Sequence, residues 1–96
     1  MILHQRELMK FREEIDAVDA ELFALIQKRF AIVDRVIAVK QTANIPATLP
    51  DRIEQVVRNV LRASKGSQVP PQTIEKLWRT LIAETIAYEE KVLNSK

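Results

Sequence analysis

Residues 1 to 45 contain neither glycine nor proline, and apolar residues recur there at 8, 11, 15, 18, 22, 25, 26, 32, 33, 36 and 37. That spacing is helical and nothing interrupts it. It predicts one helix of roughly 38 to 40 residues, roughly 60 Å long at about 1.5 Å per residue. A compact chain of this length has a radius of gyration of only about 12–13 Å. The helix is therefore too long for its own chain to cover. No residue marks a kink, so a second copy packed along the helix is expected.

The remainder divides at two breaks. Asn44-Ile45-Pro46-Ala47-Thr48-Leu49-Pro50 ends the first helix at Pro46 and opens the second at Pro50, with Thr48 or Leu49 as the cap. The second helix runs from about Pro50 to Ser64, with Ile53, Val56, Val57, Val60 and Leu61 on one side. Lys65-Gly66-Ser67-Gln68-Val69-Pro70 is the second break, with Gly66 as a C-terminal cap. The third helix begins near Pro71 and ends at about Leu93. Its stripe is Ile74, Leu77, Trp78, Leu81, Ile82, Thr85, Tyr88, Glu89 and Val92. The expected architecture is all-α: three helices with a very long first one, forming a single domain over residues 1–96 in an intertwined homodimer.

Composition excludes several classes of function. With 47% hydrophobic and 29% charged residues among 96, the chain is globular and small. One glycine and four prolines leave little turn chemistry for an all-β fold. There is no cysteine, and the one histidine, His4, lies at the N-terminus and cannot hold a metal alone. No metal site is expected. A net charge of +2 is too small to imply nucleic acid. No apolar run approaches a membrane span, and residues 1–11 lack a secretory core, so a soluble cytoplasmic protein is expected.

Charge placed on the apolar stripes is the functional signal. Arg29 stands where the first stripe expects an apolar residue, and Lys40 follows eleven residues later on nearly the same face, roughly 16 Å away. Two long cations leaning together would leave a gap the size of a small dianion. Arg52 could close that gap if the second helix folds back. Arginine's planar fork suits a carboxylate and stays charged when buried. Arg12, about 25 Å from Arg29 along the helix and rotated by roughly 100°, cannot easily serve the same pocket, but in an antiparallel dimer it could reach the partner chain's site. Glu89 shares its stripe with Trp78, Leu81, Ile82 and Thr85. A glutamic acid that kept its proton there could donate a hydrogen bond to a substrate oxygen.

Plainer readings compete. One arginine on a stripe is more often snorkelling or paired across a dimer seam. Glu89 alone reads as the ion partner of one of the arginines, and Trp78 and Tyr88 as core. The runs Arg12-Glu13-Glu14 and Glu89-Glu90-Lys91 look like solvated faces.

Taken together, the residues resemble a known family. Phe11-Arg12-Glu13-Glu14-Ile15-Asp16-Ala17-Val18-Asp19, Leu22, Leu25-Ile26 and Lys28-Arg29 are similar to the opening helix of the all-helical chorismate mutases. Lys40 eleven residues after Arg29, and Arg52 twelve after Lys40, fit the same pattern. Leu77-Trp78, Leu81-Ile82 and Glu84-Thr85, with Glu89 beyond, resemble the family's third helix.

The resemblance implies an intertwined homodimer with two shared sites, no cofactor, and rearrangement of chorismate to prephenate in aromatic amino acid biosynthesis. It also implies the site roles. Arg29, and Arg12 from the other chain, would hold the substrate carboxylates, and Lys40 would contact a carboxylate and the ether oxygen. Arg52 would add positive potential, Glu89 would hydrogen-bond the ether oxygen, and Thr85 would lie near the ring. Such a reaction needs neither base nor nucleophile, only the reactive conformer and stabilisation of charge on that oxygen.

Two positions depart from the pattern. Ile53 stands where the family usually has a glutamate holding the ring hydroxyl, and Leu49 where an aspartate is often found. An apolar residue after Arg52, with the Ile45-Pro46-Ala47 loop, also resembles isochorismate pyruvate lyase. Aminodeoxychorismate mutase is a further alternative. From another class, a non-catalytic helical dimerisation or regulatory module would explain Ile53 and Leu49 but not the four cations.

Overall fold

A computed structural model of the chain describes residues 2–95. Those residues form three α-helices and no strand: α1 (Ile2–Ala43), α2 (Pro50–Ser64) and α3 (Pro71–Leu93). The first helix is 42 residues long, a little longer than its apolar pattern predicts. Both shorter helices begin and end where expected.

Each helix end has a local cause. α1 stops one turn after Lys40 because Asn44 adopts a left-handed conformation, φ 61°, and the Ile45 N–H closes back on the Lys40 carbonyl at 2.9 Å. This closing bond is the Schellman arrangement. The terminator is thus Asn44 and not Pro46, because asparagine tolerates the left-handed region that ends a helix. Leu49 caps α2 through its backbone. Its carbonyl accepts the N–H groups of Arg52 and Ile53 at 3.0 and 3.1 Å, and Pro50 fills the first helical position. After Ser64 the chain turns at Gly66, φ 84°, a conformation that favours a residue without Cβ.

The chain divides into two compact units, Met1–Ile32 and Val33–Lys96. The first is helix alone, and its stripe is bare. Leu8, Phe11, Ile15, Val18, Leu22, Leu25 and Ile26 are each 41 to 61% exposed. In the second unit α2 packs along α3. Val33 and Ile37 of α1, Ala47 of the loop, Val57 of α2 and Ile82 of α3 are buried there. Ile53, Val56, Val60 and Leu61 are half-buried, as their stripe requires, whereas Leu77 of the third stripe is exposed.

One surface fork ties α2 to α3. Arg79 donates from Nη1 and Nη2 to Glu54 at 3.0 and 2.9 Å, and from Nε to Glu75 at 2.8 Å. The guanidinium thus uses two edges of its plane at once. Its hydrogen bonds hold the Glu54 carboxyl below the usual glutamate range.

Candidate active site

Two of the charged residues on the apolar stripes, Lys40 and Glu89, meet in the second unit. The Lys40 ammonium donates to Glu89 Oε1 at 2.7 Å and to the Ala47 carbonyl at 3.0 Å. Both side chains are buried, Lys40 being 8% and Glu89 6% exposed as residues. A buried charge is tolerated when it is paired and hydrogen-bonded, and this one is both. Lys40 is thus an ion partner of Glu89. Glu89 also does not belong with the solvated run at the end of α3: Glu90 and Lys91 are exposed, while Glu89 faces inward.

Local structure explains the meeting. Lys40 lies in the last turn of α1, and the Asn44 cap turns the chain so that Ala47 presents its carbonyl to the ammonium. Thr85 and Glu89 lie one turn apart on α3 and share the buried face. The Thr85 hydroxyl donates to the Leu81 carbonyl one turn earlier at 2.7 Å. Ala47 had no signal in the sequence beyond the loop that contains it. A carbonyl acceptor carries no side-chain signature.

The other expected residues are placed as follows. Arg52 stands at the start of α2, exposed, and its Nη1 donates to Gln55 at 2.7 Å, so its hydrogen bond does not run into the Lys40–Glu89 pair. Ile53 is half-buried, and Leu49 is 36% exposed. In the first unit Arg29 is half-buried and Arg12 exposed. They are seventeen residues apart on one helix, about 25 Å by helical rise.

A second link joins α1 to α3 beside the first. The Tyr88 hydroxyl donates to Asp34 Oδ1 at 2.5 Å. That hydrogen bond to the carboxylate raises the phenol above its ordinary value near 10. Tyr88 is 36% exposed and so is not a core aromatic. A cavity of about 430 Å³ lies at the ends of α1 and α3, lined by Lys40, Gln41, Asn44, Ile45, Pro46, Leu93 and Asn94. Lys40 is the one cation in that lining, too little charge for a dianion.

Among the described residues no helix is long and apolar enough to cross a membrane. No group of three or more His, Cys, Asp or Glu that could hold a metal ion occurs among them. What the Lys40–Glu89 pair can do is hydrogen-bond chemistry: donors and an acceptor held away from water, where each interaction is stronger than in solution.

Comparisons with known proteins bear on the family. The chain is 29% identical over 89 residues to the bifunctional chorismate mutase/prephenate dehydratase of Aquifex aeolicus (strain VF5), covering 90% of this chain and 25% of that protein. It is 31% identical over 83 residues to the T-protein of Enterobacter agglomerans, covering 86% of this chain and 22% of that protein. It is also 31% identical over 84 residues to the 4-amino-4-deoxychorismate mutase of Streptomyces pristinaespiralis, covering 88% of this chain and 65% of that protein. The chain thus spans about a quarter of the length of the first two relatives. No solved structure gives a significant match. The family model described as chorismate mutase type II matches residues 11–90, and the chain belongs to that family.

Proposed function

We propose that the chain catalyses the rearrangement of chorismate to prephenate, in a homodimer whose two sites are each built from both chains. The observation that carries this reading is the buried Lys40–Glu89 pair, 2.7 Å apart on two different helices. In the rearrangement one C–O bond breaks as one C–C bond forms, and no proton is transferred. The demands are a fixed diaxial conformer and a donor where the ether oxygen gains charge. Lys40 meets the second demand. Its ammonium has three N–H donors. Two of them hold Glu89 and Ala47, and the third can point at the oxygen. Glu89 fixes the ammonium in place, and in its acid form would itself donate.

The two substrate carboxylates fall to Arg29 and to Arg12 of the partner subunit, with Arg52 adding positive potential. The bare stripe from Leu8 to Ile26 supports the dimer. A regular apolar face of that length is rare on a monomer, and a second copy presents a face of the same kind. Sharing follows from the roughly 25 Å between Arg12 and Arg29, which is too far for both to grip one small molecule from the same helix.

The side chains of Leu49 and Ile53 cannot accept a hydrogen bond from a ring substituent, which favours a ring hydroxyl over a ring ammonium that would need a carboxylate. The test is to incubate the protein separately with chorismate, isochorismate and 4-amino-4-deoxychorismate and to identify the products. Prephenate from chorismate supports the proposal. Salicylate and pyruvate from isochorismate would identify a lyase, and turnover of the amino compound alone would identify the third reaction. A folded dimer inert towards all three would be a binding module.

A further inference from the structure

Tyr88 lies next to Glu89 on α3, yet it faces a different group. Its hydroxyl reaches Asp34 on α1, while Glu89 takes the Lys40 ammonium from the same helix. Both bonds span from α1 to α3 through long side chains. We propose that Tyr88, through its bond to Asp34, sets the roll of α3 about its own axis, and so acts as a positioning residue that aims Glu89 at Lys40. This rests on the proposed function only in taking the Lys40–Glu89 pair as the catalytic centre.

Such a clamp would act on a small lever. A side-chain tip on a helix lies roughly 5–6 Å from the axis. A roll of about 20° swings it by about 2 Å, enough to break a hydrogen bond of 2.7 Å. The Arg79–Glu54 fork that ties α3 to α2 lies ten residues and about 15 Å before Glu89. Successive residues are about 100° apart around a helix, so bonds from Tyr88 and Glu89 to one neighbouring helix resist roll in both directions. A pair fixed from two sides keeps its ammonium in one place, which a preorganised donor requires.

The test removes one oxygen. Tyr88→Phe keeps the ring and deletes the donor, and Asp34→Asn weakens the acceptor with little change of shape. With the substrate the wild type turns over, Tyr88→Phe is expected to lower kcat about tenfold, since misplacement by about 1 Å can cost up to a hundredfold. KM should stay within about twofold, and the Tyr88→Phe/Asp34→Asn double variant should be no slower than the worse single variant. A purely structural bond would lower the melting temperature and leave kcat per folded molecule unchanged. That result, or fully additive losses in the double variant, overturns the inference.

A readout independent of turnover is the exchange of the Lys40 ammonium protons, followed by nitrogen-15 NMR. Tyr88→Phe should speed that exchange at least fivefold by loosening the pair, and an unchanged rate overturns the inference even if no substrate is found. Failure of the proposed function would appear separately, as a wild type with an intact pair and no product.

Discussion

Taking one partner out of the Lys40–Glu89 pair should damage the protein far more than taking out both. The side chains are only 10 and 8% exposed, so water cannot replace a lost partner. Breaking a buried pair costs about 3–5 kcal/mol, whereas replacing both charges by apolar groups of similar volume is often neutral. In Glu89→Leu the ammonium keeps its bond to the Ala47 carbonyl at 3.0 Å, which places the loss near the lower end, about 3 kcal/mol. In Lys40→Met the Glu89 carboxylate loses its ammonium, and the loss should be about 4 kcal/mol. Lys40→Met/Glu89→Leu should return to within about 1 kcal/mol of wild type, a coupling that additive sites never show. Trp78 is the chain's one tryptophan and reports unfolding by fluorescence. Urea titrations at pH 7 and a fixed protomer concentration then give the four stabilities, free of mass-action shifts. Single losses that simply add in the double variant would refute the reasoning, because the two charges would then each be solvated separately.

Sedimentation over a concentration series should show a dimer and no folded monomer, and a compact, stable 11.1 kDa species would overturn the reading of the bare α1 stripe. Arg12→Ala and Arg29→Ala should each abolish activity, while a subunit-exchanged mixture recovers part of it, because a heterodimer keeps one site with both arginines. Glu89→Gln should retain most activity, since an amide can still donate to an ether oxygen, whereas Glu89→Ala should lose about 2 kcal/mol or more of transition-state stabilisation. Tyr88 is the chain's one tyrosine, so its phenolate absorbance can be titrated without interference. Its titration should lie above the ordinary range, chiefly because of the Asp34 hydrogen bond, and Asp34→Asn should bring it down. The folded form binds this proton more tightly than the unfolded chain. The stability it contributes is therefore complete below the unfolded value near 10 and is lost as pH rises through the folded one.

The three helices were legible because their causes are local. Apolar spacing, Pro50 and Pro71 at the first turns, and Gly66 after the second helix act over a few residues of chain. The same holds for the charges on the stripes: Lys40 and Glu89 stand out because an apolar face should not contain them. Even the end of α1 was misread by only two residues, since Asn44 and Pro46 both stop helices and only the backbone angle distinguishes them. Tertiary structure decided which groups meet. Glu89 takes Lys40, forty-nine positions away; Tyr88 takes Asp34; and Arg79 bridges two helices through Glu54. Ala47 enters through a carbonyl that every residue possesses. Helix period places a side chain on a face, but its partner depends on how distant segments are turned towards one another, and only packing sets that rotation.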